Sequence, residues 1–219
     1  FNILTFLIFY DIIFIEKGEV KEMGNNYGVE NIEHLETREA MRTRIQMYLG
    51  SDDTEGIYQA LKEIINNSTD EALAGYGDKI CILLDEATTT VTVRDFGRGV
   101  PFGIKDGRNI LVAIYTESHT GGKFDKGAYK NSSGLNGIGG TAVCMSSELF
   151  EVRSIRDGKI AIAEFNKGNL INYVEKTEKE LPTGGQTGTY IMFKPDKEVF
   201  KNMTDGFSYT RICDEHRGS

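Results

Sequence analysis

The second half of the chain is a series of short segments in which apolar and polar residues alternate, and tight turns separate them. Alternation with a period of two is typical of half-buried β-strands. Strands are predicted at residues 79–85, 90–95, 149–154, 159–165, 170–175 and 187–195. The sequence Arg-Asp-Gly-Lys at 156–159 predicts a hairpin between two of them. Because hairpins join antiparallel strands, these turns restrict the chain to a mostly antiparallel sheet.

Helical patterns are concentrated in the first half of the chain. The longest covers residues 54–75 and ends at Gly75, and weaker patterns predict helices at 38–48 and 109–119. A further helix is expected to begin near Gly140, after a glycine-rich stretch that is too polar for either kind of element. Early helices and later hairpin-linked strands predict an α+β fold, a two-layer sandwich of helices on a mostly antiparallel mixed sheet.

The balance of charges excludes a chain that binds nucleic acid over a broad surface. There are 33 Asp and Glu against 25 Lys and Arg, a formal net charge of −8, and an acidic surface repels phosphates. Any contact with DNA is therefore expected through other domains. Three widely spaced cysteines, Cys81, Cys144 and Cys213, contain no C-x-x-C pair and are typical of a reduced cytoplasmic protein.

Residues 1–15 are almost all apolar, but Asp11 interrupts a run that is already too short to cross about 30 Å of hydrocarbon. No basic segment precedes this run and no small-residue cleavage site follows it, so neither a membrane anchor nor a secretory signal is predicted. We interpret Met23 as the natural start, residues 1–22 as an upstream or disordered segment, and residues 23–219 as one domain. An additional edge strand is the alternative for the first segment.

One sector of the long helix is polar. Steps of about 100° per residue place four polar side chains within it: Glu63, Asn67, Asp70 and Glu71. The apolar residues fall on the opposite side, namely Ile57, Tyr58, Leu61, Ile64, Ile65 and Ala72. By itself this pattern is typical of an amphipathic helix with a solvated polar face.

The strand at 90–95 ends in a carboxylate that is directed inward. Alternation places Asp95 on the same face as Val91 and Val93. A buried carboxylate needs a donor, or else it becomes protonated. Two donors are considered, the guanidinium of Arg98 and an amine of a ligand. Gly97 and its neighbour Gly99 have no side chains, so the backbone could turn sharply and let a flat ring approach.

The glycine-rich stretch offers a site for phosphate. Consecutive glycines before a helix expose backbone N–H groups at the positive end of its dipole. Lys123 and Lys130 add positive charge nearby. The stretch contains no Walker motif and lacks the spacing of a dinucleotide fingerprint. A mobile surface loop is the alternative interpretation.

Three features follow one another in the chain: the polar helix sector, the Asp95 segment and the loop 134–140. Their order and spacing resemble those of the GHKL ATPase superfamily, which includes DNA gyrase, Hsp90, histidine kinases and MutL proteins. Four local sequences are similar to the B subunits of DNA gyrase and topoisomerase IV: Met-Tyr-Leu-Gly at 47–50, Asn-Ser-Thr-Asp-Glu-Ala-Leu-Ala-Gly at 67–75, Gly-Gly-Lys-Phe-Asp at 121–125 and Thr-Gly-Thr at 187–189. The resemblance extends from about Tyr27 to Pro195. It departs at 44–47, where Arg-Ile-Gln-Met replaces the usual Arg-Pro-Gly-Met.

The resemblance implies the two-layer Bergerat fold and an ATPase of a type IIA topoisomerase that uses ATP and Mg²⁺. It assigns Glu63 to orient and deprotonate the attacking water, Asn67 to ligate Mg²⁺, and Asp95 to accept the adenine amino group. It makes Asp70 a supporting residue and Glu71 the ion-pair partner of Arg98. The remaining residues it implies at the nucleotide are Tyr27, Gly97, Gly99, Val100, Pro101, Lys123, Tyr129, Leu135, Asn136, Gly137, Ile138, Gly139 and Thr189.

Within that list, Val100 and Pro101 would form an apolar wall for the base, and Thr189 would support the base through its hydroxyl or a water. Lys123, Tyr129 and residues 135–139 would belong to a lid that orders over the triphosphate. Tyr27 would reach from an N-terminal arm into the nucleotide site of a partner protomer.

The family further implies an ATP-dependent homodimer, an A-type topoisomerase subunit as partner, and DNA bound through domains absent from this chain. Its second domain supplies a lysine to the γ-phosphate, so we expect this chain alone to bind ATP·Mg²⁺ and hydrolyse it slowly. The alternatives are a noncatalytic ATP-dependent dimerisation switch or another GHKL ATPase of chaperone or mismatch-repair type. Glu63 favours hydrolysis, because a pure binder needs no carboxylate beside the γ-phosphate.

Overall fold

The computed structural model of the protein describes residues 37–117, 138–177, 179–180 and 183–216. Several predicted features lie outside the described residues: Tyr27, Lys123, Tyr129, Leu135, Asn136, Gly137, the start at Met23 and the segment 1–22. None of the helices in the described ranges combines the length and apolar character needed to cross a membrane.

Eight strands are present among the described residues: β1 (Ile80–Asp85), β2 (Thr90–Asp95), β3 (Ile104–Lys105), β4 (Arg108–Asn109), β5 (Ser147–Arg156), β6 (Lys159–Asn166), β7 (Asn169–Thr177) and β8 (Gly188–Pro195). Six of them form one sheet in the order β1-β2-β8-β5-β6-β7, and each neighbouring pair is antiparallel. The strands and hairpins predicted from alternation are therefore confirmed. The short β3–β4 hairpin was not predicted, because two-residue strands carry no periodic signal.

The helices of the described ranges are α1 (residues 37–43), α2 (Gln46–Leu49), α3 (Thr54–Leu73), α4 (Ile110–Thr116), α5 (Gly139–Met145) and α6 (Tyr209–His216). The single helix predicted at 38–48 is wrong in detail, because a turn at residues 44–45 divides it. This turn lies where the sequence departs from the family's usual Arg-Pro-Gly-Met.

The long helix α3 has a defined start and end. At its N-terminus, Asp53 accepts hydrogen bonds from the N–H groups of Glu55 and Gly56. At its C-terminus, Gly75 has a φ of +90°, and its N–H donates to the carbonyl of Ala72. The N–H of Tyr76 then donates to the carbonyl of Glu71, which completes a Schellman motif.

The core lies between the helices and one face of the sheet. α3 contributes Ile57, Leu61 and Ile64, each at most 1% exposed. The sheet contributes alternate residues of adjacent strands, and Val91 pairs with Phe193 across β2 and β8. All five side chains belong to one buried apolar cluster. The apolar face that the 3.6-residue period gives to the helix packs on the apolar face that the two-residue period gives to the strands. This packing produces the two layers that the sequence predicted.

A buried ion pair fastens α1 to the end of the sheet. Nη2 of Arg42 donates to Oδ2 of Asp196 at 2.7 Å, and its Nη1 donates to the carbonyl of Met145 at 2.8 Å. The side chains of Arg42 and Asp196 are 12% and 5% exposed. Burial by itself would raise the pKa of Asp196, but Arg42 and the backbone N–H of Glu198 lower it below its usual range. The guanidinium of Arg42 thus joins three elements: α1, the C-terminus of α5 and the end of β8.

Arg42→Ala is expected to lower the free energy of unfolding by about 3 kcal/mol, because the buried Asp196 carboxylate loses its hydrogen-bonded cation at 2.7 Å and keeps Lys167 at 3.7 Å. Lys194→Ala, which breaks an exposed pair with Glu148, serves as control and should cost less than about 1 kcal/mol. Urea unfolding measures both. The effect of Arg42→Ala should shrink only in strong acid, as pH falls through the lowered pKa of Asp196; equal effects of the two variants would contradict the assignment.

Candidate functional site

The polar sector of α3 is buried. Glu63 is 7% exposed, and Asp70 and Glu71 are 9% exposed, so the interpretation as a solvated face is wrong for these three residues. Asn67 alone of the four is exposed. α3 is therefore covered by protein on its apolar side and, over most of its length, on its polar side as well.

Two glycines make the close approach to the polar sector possible. A Cβ added at Gly139, at the start of α5, would overlap the carboxylate of Glu63. A Cβ added at Gly97, just after β2, would overlap the side chain of Glu71. No larger residue fits at either point without displacing a carboxylate. The predicted site glycines are thus required by packing against two of the predicted site acids.

Glu63 lies where α3 meets the beginning of α5. Its Oε1 accepts a hydrogen bond of 3.0 Å from Nε2 of Gln59, which lies one turn earlier on the same helix. This bond restricts the orientation of a carboxylate that is already confined by Gly139. Sequence reasoning missed Gln59, although the i, i+4 spacing on a helix was an available signal.

Asn67 lies one turn beyond Glu63, and its Nδ2 would be 3.9 Å from a Cβ added at Gly140. Its side chain is therefore beside the start of α5 and open to solvent. The described residues contain no cluster of three or more His, Cys, Asp or Glu that could hold a metal. The arrangement fits a cation that takes one oxygen from the protein and keeps several waters, as Mg²⁺ commonly does.

Asp95 is buried at the end of β2, as alternation predicted, with 7% exposure. Its Oδ1 accepts from the backbone N–H groups of Gly97 and Thr189, both at 3.0 Å, and its Oδ2 accepts from Oγ of Ser68 at 3.3 Å. Arg98, one of the two donors considered from the sequence, is not among them. Ser68, which was not predicted, ties the end of β2 to α3.

The environment of Asp95 disfavours its charge. Burial raises the pKa of this carboxyl, the backbone N–H groups of Gly97 and Thr189 oppose the rise, and the nearby Glu71 adds to it. No cation is among these causes. Because Oδ2 has a single long bond from Ser68 within the described chain, it retains the capacity to accept a further donor.

Arg98 pairs with Glu71, as the resemblance implied. Nε and Nη2 of Arg98 donate to the two carboxylate oxygens of Glu71 at 2.8 and 2.9 Å, and the backbone N–H of Arg98 donates to Oε1 at 2.9 Å. The guanidinium carbon lies 3.7 Å from the ring centroid of Tyr76, a cation–π contact that was not predicted. The head of Arg98 is therefore held in one plane beside the Asp95 segment.

The loop 97–101 is tied to the sheet by side chains. Oγ1 of Thr187 donates to the carbonyl of Gly97 at 2.6 Å, and Nη1 of Arg156 donates to the carbonyl of Gly99 at 3.2 Å. Oγ of Ser154 donates to the carbonyl of Val100 at 2.6 Å. Val100 packs against the core, whereas Pro101 is exposed.

Several of the predicted residues that the structure describes meet along α3. Glu63 contacts Gly139, Asn67 lies near Gly140, and Glu71 contacts both Gly97 and Arg98. Ile138 directly precedes α5, and its side chain makes no capping hydrogen bond there. One helix therefore contacts both the Asp95 segment and the start of α5, which lie far apart in the sequence.

Comparisons with known proteins identify the family of the chain. Residues 52–199 match the family described as histidine kinase-, DNA gyrase B- and HSP90-like ATPases. The chain is 41% identical over 182 residues to the B subunit of DNA topoisomerase 4 from Staphylococcus epidermidis, and 40% identical over 183 residues to its counterpart from Staphylococcus aureus. Each alignment covers 82% of this chain and 27% of the relative, so the chain spans about a quarter of their length.

A solved structure also matches the fold. The 43K ATPase domain of Thermus thermophilus gyrase B, crystallised in complex with an aminocoumarin, superposes with a TM-score of 0.68. It is 33% identical in sequence, and the match covers 84% of this chain and 45% of that one.

The pKa of Asp95 leads to a prediction about stability. The pKa of Asp95 is raised in the folded protein, so ionising this carboxyl lowers the free energy of unfolding. The loss grows as pH rises from the unfolded-chain pKa of about 3.9 toward the folded-state pKa, and it persists at neutral pH. Asp95→Asn removes the charge and keeps an oxygen for Gly97 and Thr189. We expect this variant to unfold at the same or a higher temperature than the parent protein at neutral pH, and to lose that advantage below about pH 4.

Asp85→Asn is the matched control, since a carboxylate at the end of β1 is replaced in the same way. Hydrogen bonds from Thr88 lower the pKa of Asp85, so its charge contributes stability above the unfolded-chain pKa. This variant should unfold at a slightly lower temperature than the parent protein at neutral pH. Thermal unfolding in which Asp95→Asn is the less stable of the two would refute the argument.

Proposed function

Because the chain belongs to the family of histidine kinase-, DNA gyrase B- and HSP90-like ATPases, we propose that it is the ATP-binding and ATP-hydrolysing module from the B subunit of a type IIA DNA topoisomerase. The observation that carries the proposal is the burial of Glu63 and Glu71 along α3 against glycines, with Asp95 tied to the same helix through Ser68. Glu63 and Glu71 are separated by about 12 Å along the helix axis, a length suited to an extended nucleotide.

At one end of this span, Asp95 recognises the base. Its Oδ2 accepts the adenine amino group, while Oδ1 is occupied by the N–H groups of Gly97 and Thr189. A carboxylate that must be buried in any case gains a donor when the base binds, which favours adenine over a base with a carbonyl at that position. Val100 and Pro101 form the apolar wall, and Thr189 supports the base from β8.

At the other end, Glu63 acts as general base. It holds the attacking water and accepts its proton, and Gln59 keeps the carboxylate in position. Asp70, buried on the same side of α3, supports this sector. Gly139 and its neighbour Ile138 belong to the loop that encloses the phosphates.

Asn67 is the residue that would hold Mg²⁺ through its side-chain oxygen. When bound there, the ion would supply positive charge to the phosphates. An exposed amide beside the start of α5 suits this role, because Mg²⁺ usually takes one or two protein ligands together with phosphates and waters.

The wider assignments follow the same family. We propose that residues 23–219 form one domain, that Lys123, Tyr129 and residues 135–137 contribute to a lid, and that Tyr27 reaches the site of a partner protomer. ATP binding then closes a homodimer, and hydrolysis at Glu63 reopens it. An A-type subunit and DNA are engaged through parts of the enzyme beyond this chain, in the cytoplasm.

Calorimetry with a non-hydrolysable ATP analogue, with and without Mg²⁺, tests the binding half of the proposal. The parent protein should bind, and Asp95→Asn should bind more weakly by roughly 1.5 to 3 kcal/mol, about tenfold or more, since it loses a charge-assisted hydrogen bond. Glu63→Ala should bind like the parent protein. Equal affinity of Asp95→Asn and the parent protein would remove Asp95 from the base site.

Hydrolysis is measured with the same Glu63→Ala substitution in the full-length protein. Loss of turnover with binding retained supports catalysis by Glu63. Unchanged turnover would instead favour the noncatalytic dimerisation switch.

Two adjacent glycines provide a test of the confinement of Glu63. In Gly139→Ala the added methyl overlaps the Glu63 carboxylate, a flexible group that can move aside, so the fold should survive while hydrolysis falls roughly 10- to 100-fold. In Gly140→Ala the methyl lies 3.3 Å from the ring of Tyr115 and, at ordinary contact distance, 3.9 Å from Nδ2 of Asn67; it does not reach Glu63, and hydrolysis should stay within about twofold of the parent protein. Steady-state ATP turnover measures hydrolysis, and the melting temperature shows whether each variant folds. Similar hydrolysis rates for Gly139→Ala and Gly140→Ala would show that the confinement of Glu63 by Gly139 does not affect catalysis.

A further inference from the structure

Ser154 is a fully buried serine on β5 with no place in the function proposed above. It is 0% exposed and lies opposite Thr189 in the β5–β8 register, on the face of the sheet that meets the helices. On that face of β5 it follows the buried apolar residues Phe150 and Val152 and precedes the partly exposed Arg156. A hydroxyl in such surroundings is costly unless it is bonded, and this one donates to the carbonyl of Val100 at 2.6 Å.

The bond of Ser154 differs from the other two ties of the loop 97–101. Thr187 is exposed and the side chain of Arg156 is 31% exposed, so water competes for their hydrogen bonds. The hydroxyl of Ser154 has no access to solvent. Of the three donors to this loop in the described chain, Ser154 therefore holds its carbonyl most firmly.

The loop has little freedom to shift around that bond. Gly99, with a φ of +77°, brings the backbone so close to β5 that an added Cβ would lie 2.6 Å from the carbonyl oxygen of Ile155 and 3.0 Å from Oγ of Ser154. It would also lie 3.1 Å from the carbonyl oxygen of Gly188. The position of the peptide after Gly99 is thus set both by close packing against β5 and Gly188 and by the hydrogen bond from the Ser154 hydroxyl.

We propose that Ser154 is a positioning residue for nucleotide binding: its hydroxyl fixes the carbonyl of Val100 and thereby places the Val100–Pro101 wall against the base bound at Asp95. The inference rests on the proposed nucleotide function. Ser154 acts through the loop and touches no part of the ligand. Its loss should therefore weaken binding of the base and leave the phosphate end unchanged.

The same strand supplies a matched control. Ser147, at the other end of β5, is also 0% exposed, and its Oγ donates to the carbonyl of Val143 at the same distance of 2.6 Å. It lies beside the C-terminal part of α5, outside the proposed site. Ser154→Ala and Ser147→Ala therefore remove the same atom from equivalent surroundings.

Calorimetry on the parent protein and both variants uses ADP and a non-hydrolysable ATP analogue. We expect Ser154→Ala to weaken both ligands by the same factor, about 3- to 10-fold, and Ser147→Ala to leave both unchanged, although their melting temperatures fall by similar amounts. Unchanged affinity of Ser154→Ala, or equal weakening by the two variants, overturns the inference while the proposed function stands. Absence of nucleotide binding by the parent protein overturns the proposed function and this inference together.

If Ser154→Ala does not fold, the two alanine variants are replaced by Ser154→Cys and its control Ser147→Cys. Cysteine keeps the buried volume and replaces the hydroxyl by a weak donor. Weaker binding by Ser154→Cys than by Ser147→Cys supports the inference, and equal binding overturns it.

Discussion

The close packing of α3 on two sides is the constraint on which the rest of the structure depends. Its apolar side meets the sheet, and its polar side meets Gly97 and Gly139 at distances that exclude any Cβ. Carboxylates buried in this way must each find partners. Glu63 finds Gln59, and Glu71 finds the guanidinium of Arg98. Because Glu63 and Glu71 lie on one helix, the two ends of the proposed site have a fixed separation.

Two buried aspartates show how the same residue serves different ends. Asp196 faces Arg42, and its pKa is lowered, so its charge stabilises the fold. Asp95 receives only neutral donors, and its pKa is raised, so its charge is held at a cost. A carboxylate in the second situation gains more from a new donor than one already paired with a cation. This difference supports the proposal that Asp95 accepts a donor from a ligand.

Much of this arrangement was accessible from the sequence, and the exceptions have physical causes. The strands and the inward direction of Asp95 follow from a period of two, and the length of α3 follows from its periodicity and from Gly75. The solvated-face interpretation of α3 failed because a helical pattern describes one helix and says nothing about a second layer that covers it. The resemblance correctly paired Arg98 with Glu71, whereas the residues alone left Arg98 open as a donor to Asp95, because proximity along the chain does not decide between Asp95 and Glu71, which lies 27 positions from Arg98.

The sequence by itself determined the α+β class, the antiparallel pairing and the family, and it supplied most members of the proposed site, since these depend on local periodicity and on short motifs. Only the tertiary structure decided which donor meets which acceptor. Three hydrogen-bond donors had no role predicted from the sequence: Ser68, which bonds Asp95, Gln59, which bonds Glu63, and Ser154, which bonds the carbonyl of Val100. Their roles come from the distances between elements, because a hydrogen bond exists only where folding brings donor and acceptor within about 3 Å.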